Sequence, residues 1–250
     1  MINTERNSTM NQKIEELQHI IDDATHIVFF TGAGVSTESG IPDFRSQDGL
    51  YHQKYDLPPE EIISHHYFVN HPEGFFRFYK DRMIYPDAMP NHVHTFIAEC
   101  EKKHKSLGVV TQNIDGLHQK AGSEKVYELH GSVLRNYCED CYAYYPLETI
   151  LSSDGVPRCV KCGGIIKPDV VLYEEGLSDA VLNGAVAAIQ SADVLIVLGT
   201  SLVVYPAAGL LRFFGGKHLV LINRDATPYD SIADLVINDT FANVFPYLHV

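Results

Sequence analysis

The chain has 250 residues, 45% hydrophobic and 20% charged, and its 19 Lys and Arg against 32 Asp and Glu give a formal net charge of −13. This length suits one large domain, or one domain with a smaller insert, and the composition excludes a disordered chain. An acidic chain without a sizeable Lys/Arg cluster lacks the basic face of a nucleic-acid binder; its acidity suits basic partners such as lysine-bearing proteins, with plain solubility as the alternative, and no apolar run approaches the ~20 residues of a membrane span.

The first eleven residues are polar, with Glu5 beside Arg6 and no apolar signal-peptide core, so a soluble cytoplasmic protein is expected. Residues 13–22 form a helical pattern with Ile14, Leu17 and Ile21 on one stripe. Residues 26–30 read as a buried strand running into Gly32-Ala33-Gly34. Residues 47–90, rich in aromatics, His and Pro, read as an irregular helical insert. A helix is expected over 91–105, then a strand over 107–111 that ends at Gln112-Asn113-Ile114-Asp115. Residues 135–167 carry four of the five cysteines. Further on come a helix over 179–190, an apolar strand over 193–198 ending at Gly199-Thr200-Ser201, and a strand over 218–222 ending at Asn223-Arg224-Asp225.

Strands separated by helices imply a parallel sheet covered on both faces, an α/β Rossmann-like fold. Ligands in such folds bind beyond the carboxyl ends of the strands. Four polar or glycine-rich clusters stand at those ends. The expected organisation is a Rossmann-like domain in three parts (1–46, 91–134 and 168–250), with a smaller domain made of the helical insert (47–90) and a zinc module (135–167).

The cysteines do not read as a disulfide framework. Cys138-x-x-Cys141 and Cys159-x-x-Cys162 match the spacing of a zinc ribbon, in which each knuckle turns two thiolates toward one tetrahedral ion. Four cysteines close the coordination shell, so a structural zinc is expected; a redox pair is the alternative. Cys100 reads as core.

Gly32-x-Gly34 after a strand is a weak dinucleotide signal, because Thr37 stands where the fingerprint has its third glycine and no acidic residue ends a second strand about 20 residues on. Glycines at 32 and 34 would let backbone N–H groups approach a pyrophosphate; a structural turn is the alternative. The longer string Gly32-Ala33-Gly34-Val35-Ser36, then Gly40-Ile41-Pro42-Asp43-Phe44-Arg45, resembles the signature of the sirtuins, NAD-dependent protein deacylases. Thr111-Gln112-Asn113-Ile114-Asp115, Leu129-His130-Gly131, the two cysteine pairs, Gly199-Thr200-Ser201 and Leu221-Ile222-Asn223 follow in that family's order. The resemblance runs from about Leu17 to the C-terminus.

That resemblance implies cleavage of the nicotinamide–ribose bond of NAD by an acyl-lysine amide oxygen. A ribose hydroxyl activated by a histidine then attacks, and lysine, nicotinamide and O-acyl-ADP-ribose leave. It implies His130 and Asn113 as catalytic residues, and an imidazole with an ordinary pKa near 6.5 suits the base. It assigns NAD contacts to Gly32, Ala33, Gly34, Ser36, Thr37, Asp43, Phe44, Arg45, Gln112, Asn113, Ile114, Asp115, Gly199, Thr200, Ser201, Asn223 and Arg224. Phe44 would shield the reactive carbon from water. Val171, Leu172 and Tyr173 resemble the segment that pairs with the substrate backbone, although Tyr173-Glu174-Glu175 departs from the commoner aromatic-Gly-Glu. Tyr79-x-x-Arg82 matches the motif by which some sirtuins hold a succinyl or malonyl carboxylate; a surface pair is the alternative, and Ile63 stands where those enzymes tend to have alanine. Acetyl-lysine is the expected substrate, on proteins or peptides and with a monomeric enzyme. ADP-ribosyl transfer to protein is the alternative activity, which the Leu-His-Gly motif disfavours.

Overall fold

The computed structural model describes residues 2–44 and 57–250, so Arg45 and the first part of the aromatic insert lie outside the described residues. Helix α1 (Ile2–Asp23) leads into β1 (Ile27–Thr31). Three short helices follow, α2 (Pro59–Ile62), α3 (His65–Asn70) and α4 (Pro72–Arg82). Next come α5 (His92–Lys102), β2 (Ser106–Thr111), α6 (Leu117–Lys120) and β3 (Val126–Glu128). The cysteine region holds β4 (Gly131–Cys138), β5 (Tyr144–Pro146), α7 (Leu147–Ser152) and β6 (Ile166–Val170). The chain closes with α8 (Asp179–Ser191), β7 (Val194–Leu198), β8 (His218–Ile222) and β9 (Leu235–Ile237).

Six strands form one parallel sheet in the order β3-β2-β1-β7-β8-β9. All five residues of β1 and of β7 are buried, as their unbroken apolar runs require of strands covered on both faces. Side chains alternate between two cores. Ile27 and Phe29 join α1 and α5 through Leu17, Ile21 and Ile97, whereas Val28 and Phe30 join α8 through Ala185 and Ile189. The sequence pattern did not single out β3 or β9. Each has only three residues, too few to carry a period, and is held by register with its neighbour.

From β1 the chain winds outward through β2 and β3 on one side and, after β7, through β8 and β9 on the other. The order therefore reverses between β1 and β7, where a doubly wound sheet opens a crevice at its carboxyl ends.

A second, antiparallel sheet has the order β5-β4-β6 and carries the cysteines. Its core is shared with the helical insert. Phe68, Phe75, Phe76 and Tyr79 pack with Val133, Ile150, Ile166 and Leu172. Phe75 and Tyr79 stack with ring centroids 5.5 Å apart. The insert and the cysteine module thus form one apolar body beside the crevice.

Candidate functional site

A cleft of about 570 Å³ opens at the β1/β7 crevice, within the size range of small-molecule sites. All the site residues expected from the sequence, those of the metal site apart, lie on its wall wherever they are described. The end of β1 contributes Gly32, Ala33, Gly34, Ser36 and Thr37, with Asp43 and Phe44 beyond; β2 contributes Gln112, Asn113, Ile114 and Asp115. His130 enters from the turn before β4, and Gly199, Thr200 and Ser201 from the end of β7. Asn223 and Arg224 follow β8, and Val171, Leu172 and Tyr173 follow β6. Arg45 is not described.

The structure corrects the reason for glycine at 32 and 34. Their amides do not stand free toward a ligand: Gly32 N donates to Leu198 O at 3.0 Å and Gly34 N to Gly199 O at 2.9 Å. A Cβ at 32 would lie 2.7 Å from Thr200 Cβ, and one at 34 would lie 2.8 Å from Gly199 Cα. Glycine here lets two strand-end loops touch backbone to backbone, and that contact shapes the cleft floor.

A polar cluster follows. Ser36 Oγ donates to Asp115 Oδ2 at 2.7 Å, and Asn113 Nδ2 donates to Ser36 Oγ at 3.2 Å. Asp115 also accepts from Leu117 N. Burial pushes the Asp115 pKa up, and these two hydrogen bonds hold it partly back. Asn113 N donates to Thr111 Oγ1, which also accepts from Thr31 Oγ1 at 2.8 Å, so the turn after β2 is tied to β1. Gln112 Nε2 reaches Thr200 Oγ1 at 3.0 Å and bridges the ends of β2 and β7. Toward β8, Asn223 Nδ2 donates to Asp225 O, and Arg224 pairs with Asp225 at 3.5 Å.

His130 Nδ1 lies 3.0 Å from Gln112 O. A carbonyl only accepts, so Nδ1 carries the proton and Nε2 keeps its lone pair. Burial lowers the His130 pKa while the Gln112 carbonyl pulls it back up, leaving a neutral imidazole as a proton acceptor at neutral pH.

Tyr79 is 1% exposed and lies on the cleft wall with Ile63 and Arg82. Its hydroxyl has no hydrogen-bond partner among the described residues, and burial raises its pKa. Arg82 pairs with Asp81 at 2.6 Å. Phe44 packs against Ile62, Ile63 and Phe78 rather than standing alone. The three amides of the expected strand-pairing segment are already engaged: Val171 N with His130 O, Leu172 N with Glu175 Oε2, and Tyr173 N with Ile63 O. The carbonyls of Leu172 and Tyr173 accept from Glu175 N and His65 N, so an added strand would meet the Val171 carbonyl there. Sequence reasoning did not select Tyr205, Asp239 or Phe241, which also line the cleft and stand on loops and a short 3-10 turn outside any recognisable motif; Glu175, the Glu of the aromatic-x-Glu stretch, lines it too.

The Sγ atoms of Cys138, Cys141, Cys159 and Cys162 lie within 4.8 Å of one another. Two of the separations are 3.4 and 3.6 Å. Four thiolates at the usual zinc–sulfur distance stand roughly 3.8 Å apart, so the donor set fits a closed tetrahedral site. Tyr145 Oη donates to Cys159 Sγ at 3.1 Å and accepts from Val160 N, fixing one ligand from outside the shell.

A doubly wound sheet with a cleft at its switch point rimmed by polar strand ends, flanked by a four-cysteine ribbon, defines a dinucleotide-binding α/β protein with a module whose cysteines fit a metal ion. The comparisons name the family. The Sir2 family matches residues 32–206. An NAD-dependent protein deacetylase of Clostridium perfringens (strain 13 / Type A) is 59% identical over 238 residues, 94% of this chain and 98% of that protein. One of Staphylococcus aureus (strain NCTC 8325 / PS 47) is 49% identical over 237 residues, covering 94% and 97%. A solved Sir2 structure with a deacetylated p53 peptide and O-acetyl ADP ribose superposes with a TM-score of 0.86 at 41% identity, covering 94% of this chain and 96% of that one. A Sir2 structure with a p53 peptide and NAD+ gives 0.81 at 40% identity, covering 94% and 95%. The chain belongs to the Sir2 family. No described helix is long and apolar enough to cross a membrane.

Proposed function

We propose that the protein is an NAD-dependent protein lysine deacetylase. The observation that carries this reading is His130, held as a neutral base with Nε2 available, in one cleft with the Ser36–Asn113–Asp115 cluster. Identity of 59% to a protein named as such a deacetylase supports it.

The residues present suit a dinucleotide, with hydroxyl, amide and carboxylate groups at four strand ends around one cleft. When bound, NAD supplies a nicotinamide leaving group and an electrophilic ribose carbon. Asn113 and Asp115 offer a donor and an acceptor to the carboxamide end, held in register by Ser36 and Thr111. Gln112 and Thr200 would hold the nicotinamide ribose, Ala33 and Ser201 the phosphates, and Asn223 the adenosine ribose. Phe44 excludes water from the reacting carbon. His130 Nε2 accepts the proton of the ribose hydroxyl that captures the acyl group, and the fixed tautomer spares any ring reorientation before the transfer. The Val171 carbonyl would anchor the peptide as an added strand.

Cys138, Cys141, Cys159 and Cys162 would hold one structural zinc, whose closed shell contributes folding energy to the module. We take residues 47–90 and 135–167 as the smaller domain and the rest as the NAD-binding domain. The enzyme is read as a cytoplasmic monomer acting on acyl-lysine proteins, apart from nucleic acid and membrane, in keeping with its charge of −13.

Acetyl is the acyl group proposed. Succinyl or malonyl is the second reading, favoured by the unpartnered Tyr79 hydroxyl beside Arg82 on the cleft wall. Incubation with acetylated, succinylated and unmodified lysine peptides plus NAD, followed by mass spectrometry, tests the whole assignment. O-acyl-ADP-ribose and free lysine are expected. Peptide gaining ADP-ribose with its acyl group intact would refute it.

A further inference from the structure

The segment after β6 meets the helical insert at a joint built from two adjacent glutamates. Ser64 and Tyr173 form an isolated parallel bridge, with Tyr173 N donating to Ile63 O at 3.1 Å and His65 N donating to Tyr173 O at 3.0 Å. Glu175 accepts from Leu172 N at 2.8 Å, pairs with Lys167 at 3.1 Å and meets His65 Nδ1 at 2.9 Å. Glu174 Oε2 accepts from His66 N at 2.9 Å. Ile63, Tyr173, Glu174 and Glu175 all face the cleft.

Glu174 has φ +77. An L residue there crowds its Cβ against the backbone, so glycine is the natural occupant. Four non-glycine residues take positive φ among the described residues, and of these Glu174 alone lines the cleft. A side chain that merely faced water would leave this strain without compensation. Here the exposed carboxylate offsets part of it through a hydrogen bond from the His66 amide in the first turn of α3.

We propose that Glu174 is a positioning residue for the acyl-lysine peptide: its carboxylate latches the Leu172–Tyr173 edge of the cleft onto the Ile63–Ser64 edge, presetting the width of the slot the peptide enters. The proposal rests on the deacetylase reading, because that reading places the peptide along this segment. The latch acts before chemistry, on the edge of the cleft that the peptide is proposed to enter. Its loss should therefore weaken peptide binding and leave cofactor affinity alone.

Three substitutions separate the strain from the latch. Glu174→Gln keeps an acceptor oxygen at the same reach, Glu174→Ala keeps the strained backbone and loses the oxygen, and Glu174→Gly loses both. Binding of a fluorescent acetyl-lysine peptide is measured by polarisation, with steady-state kinetics and hydrogen exchange at the His66 amide alongside. Glu174→Ala should raise peptide Kd and KM measurably and by up to about 5-fold, the ceiling set by one hydrogen bond lost from the closed state of the free protein. NAD KM and kcat at saturating peptide should stay within about twofold of the parent, the signature of lost ground-state binding. Glu174→Gln should restore most of the affinity, Glu174→Gly should lie between, and exchange at His66 should quicken in the Ala and Gly variants. A parent-like Ala variant, or a Gly variant that binds more tightly than the parent, overturns the latch alone. A parent that binds NAD but no acyl-lysine peptide overturns the deacetylase reading and the latch together.

Discussion

The sharpest stability prediction comes from two histidines that take no part in the proposed chemistry. His94 and His118 are 0% and 1% exposed, with ring centroids 4.9 Å apart. Asn91 N donates to His94 Nδ1, closing the capping box of α5, and His118 Nε2 meets Thr31 Oγ1 at 3.0 Å. Burial lowers His94 to a pKa of about 4; burial, with a smaller contribution from the neighbouring His94, lowers His118 to about 3. In the unfolded chain both return to about 6.5. The unfolded state therefore binds the extra protons as pH falls, so the stability present above 6.5 is lost progressively toward the folded values. From about pH 7 to about pH 5 each histidine removes about 1.9 kcal/mol, together about 4 kcal/mol. That is a large part of the 5–15 kcal/mol that holds a typical domain folded. Carboxylates and the cysteine site titrate too, so the test is a difference between two proteins. Glutamine at position 94 can still accept from Asn91 N, as in an ordinary capping box. Urea unfolding of the parent and of His94→Gln at both pH values should show the variant's stability falling by about 2 kcal/mol less over this interval. Identical pH dependence in the two proteins would falsify the buried-neutral reading of His94.

His130→Ala should abolish acetyl-lysine turnover while NAD binding, measured by calorimetry, survives; in the parent, the acid limb of kcat/KM should lie below the ordinary imidazole value of about 6.5, because burial dominates its shift. Full deacetylation by that variant would remove the base assignment. Elemental analysis should find one zinc per chain, and Cys141→Ala should lose both the metal and soluble expression; a metal-free parent would contradict the closed Cys₄ site. Arg82→Met should lower kcat/KM for a succinyl-lysine peptide at least ~10-fold and change that for acetyl-lysine little, with Tyr79→Phe showing the same asymmetry more weakly. Equal effects on the two peptides, or a parent without desuccinylase activity, would leave the acetyl reading standing alone.

Much of this protein is legible in the chain itself, because the features concerned are local. The apolar runs that become β1 and β7 need no partner to declare a strand buried on both faces. The polar strand ends at 111–115, 199–201 and 223–224 follow directly from those runs, and the two Cys-x-x-Cys knuckles each fit within one turn. What each of these groups touches was decided only by the tertiary fold. Gly32 and Gly34 look like a phosphate loop in sequence, yet their missing Cβ atoms make room for Gly199 and Thr200 on another strand. His130 is one histidine among 13, and only the Gln112 carbonyl facing its Nδ1 fixes which nitrogen can take a proton. Strands β3 and β9 have three residues each and exist through register with a longer neighbour. Glu174 breaks a local rule, its backbone in a glycine conformation while its carboxylate accepts from the His66 amide, 108 residues away in sequence. Periodicity and spacing encode what a residue can do within one or two turns of chain; close approach between distant segments depends on packing, and packing exists only once the whole chain has folded.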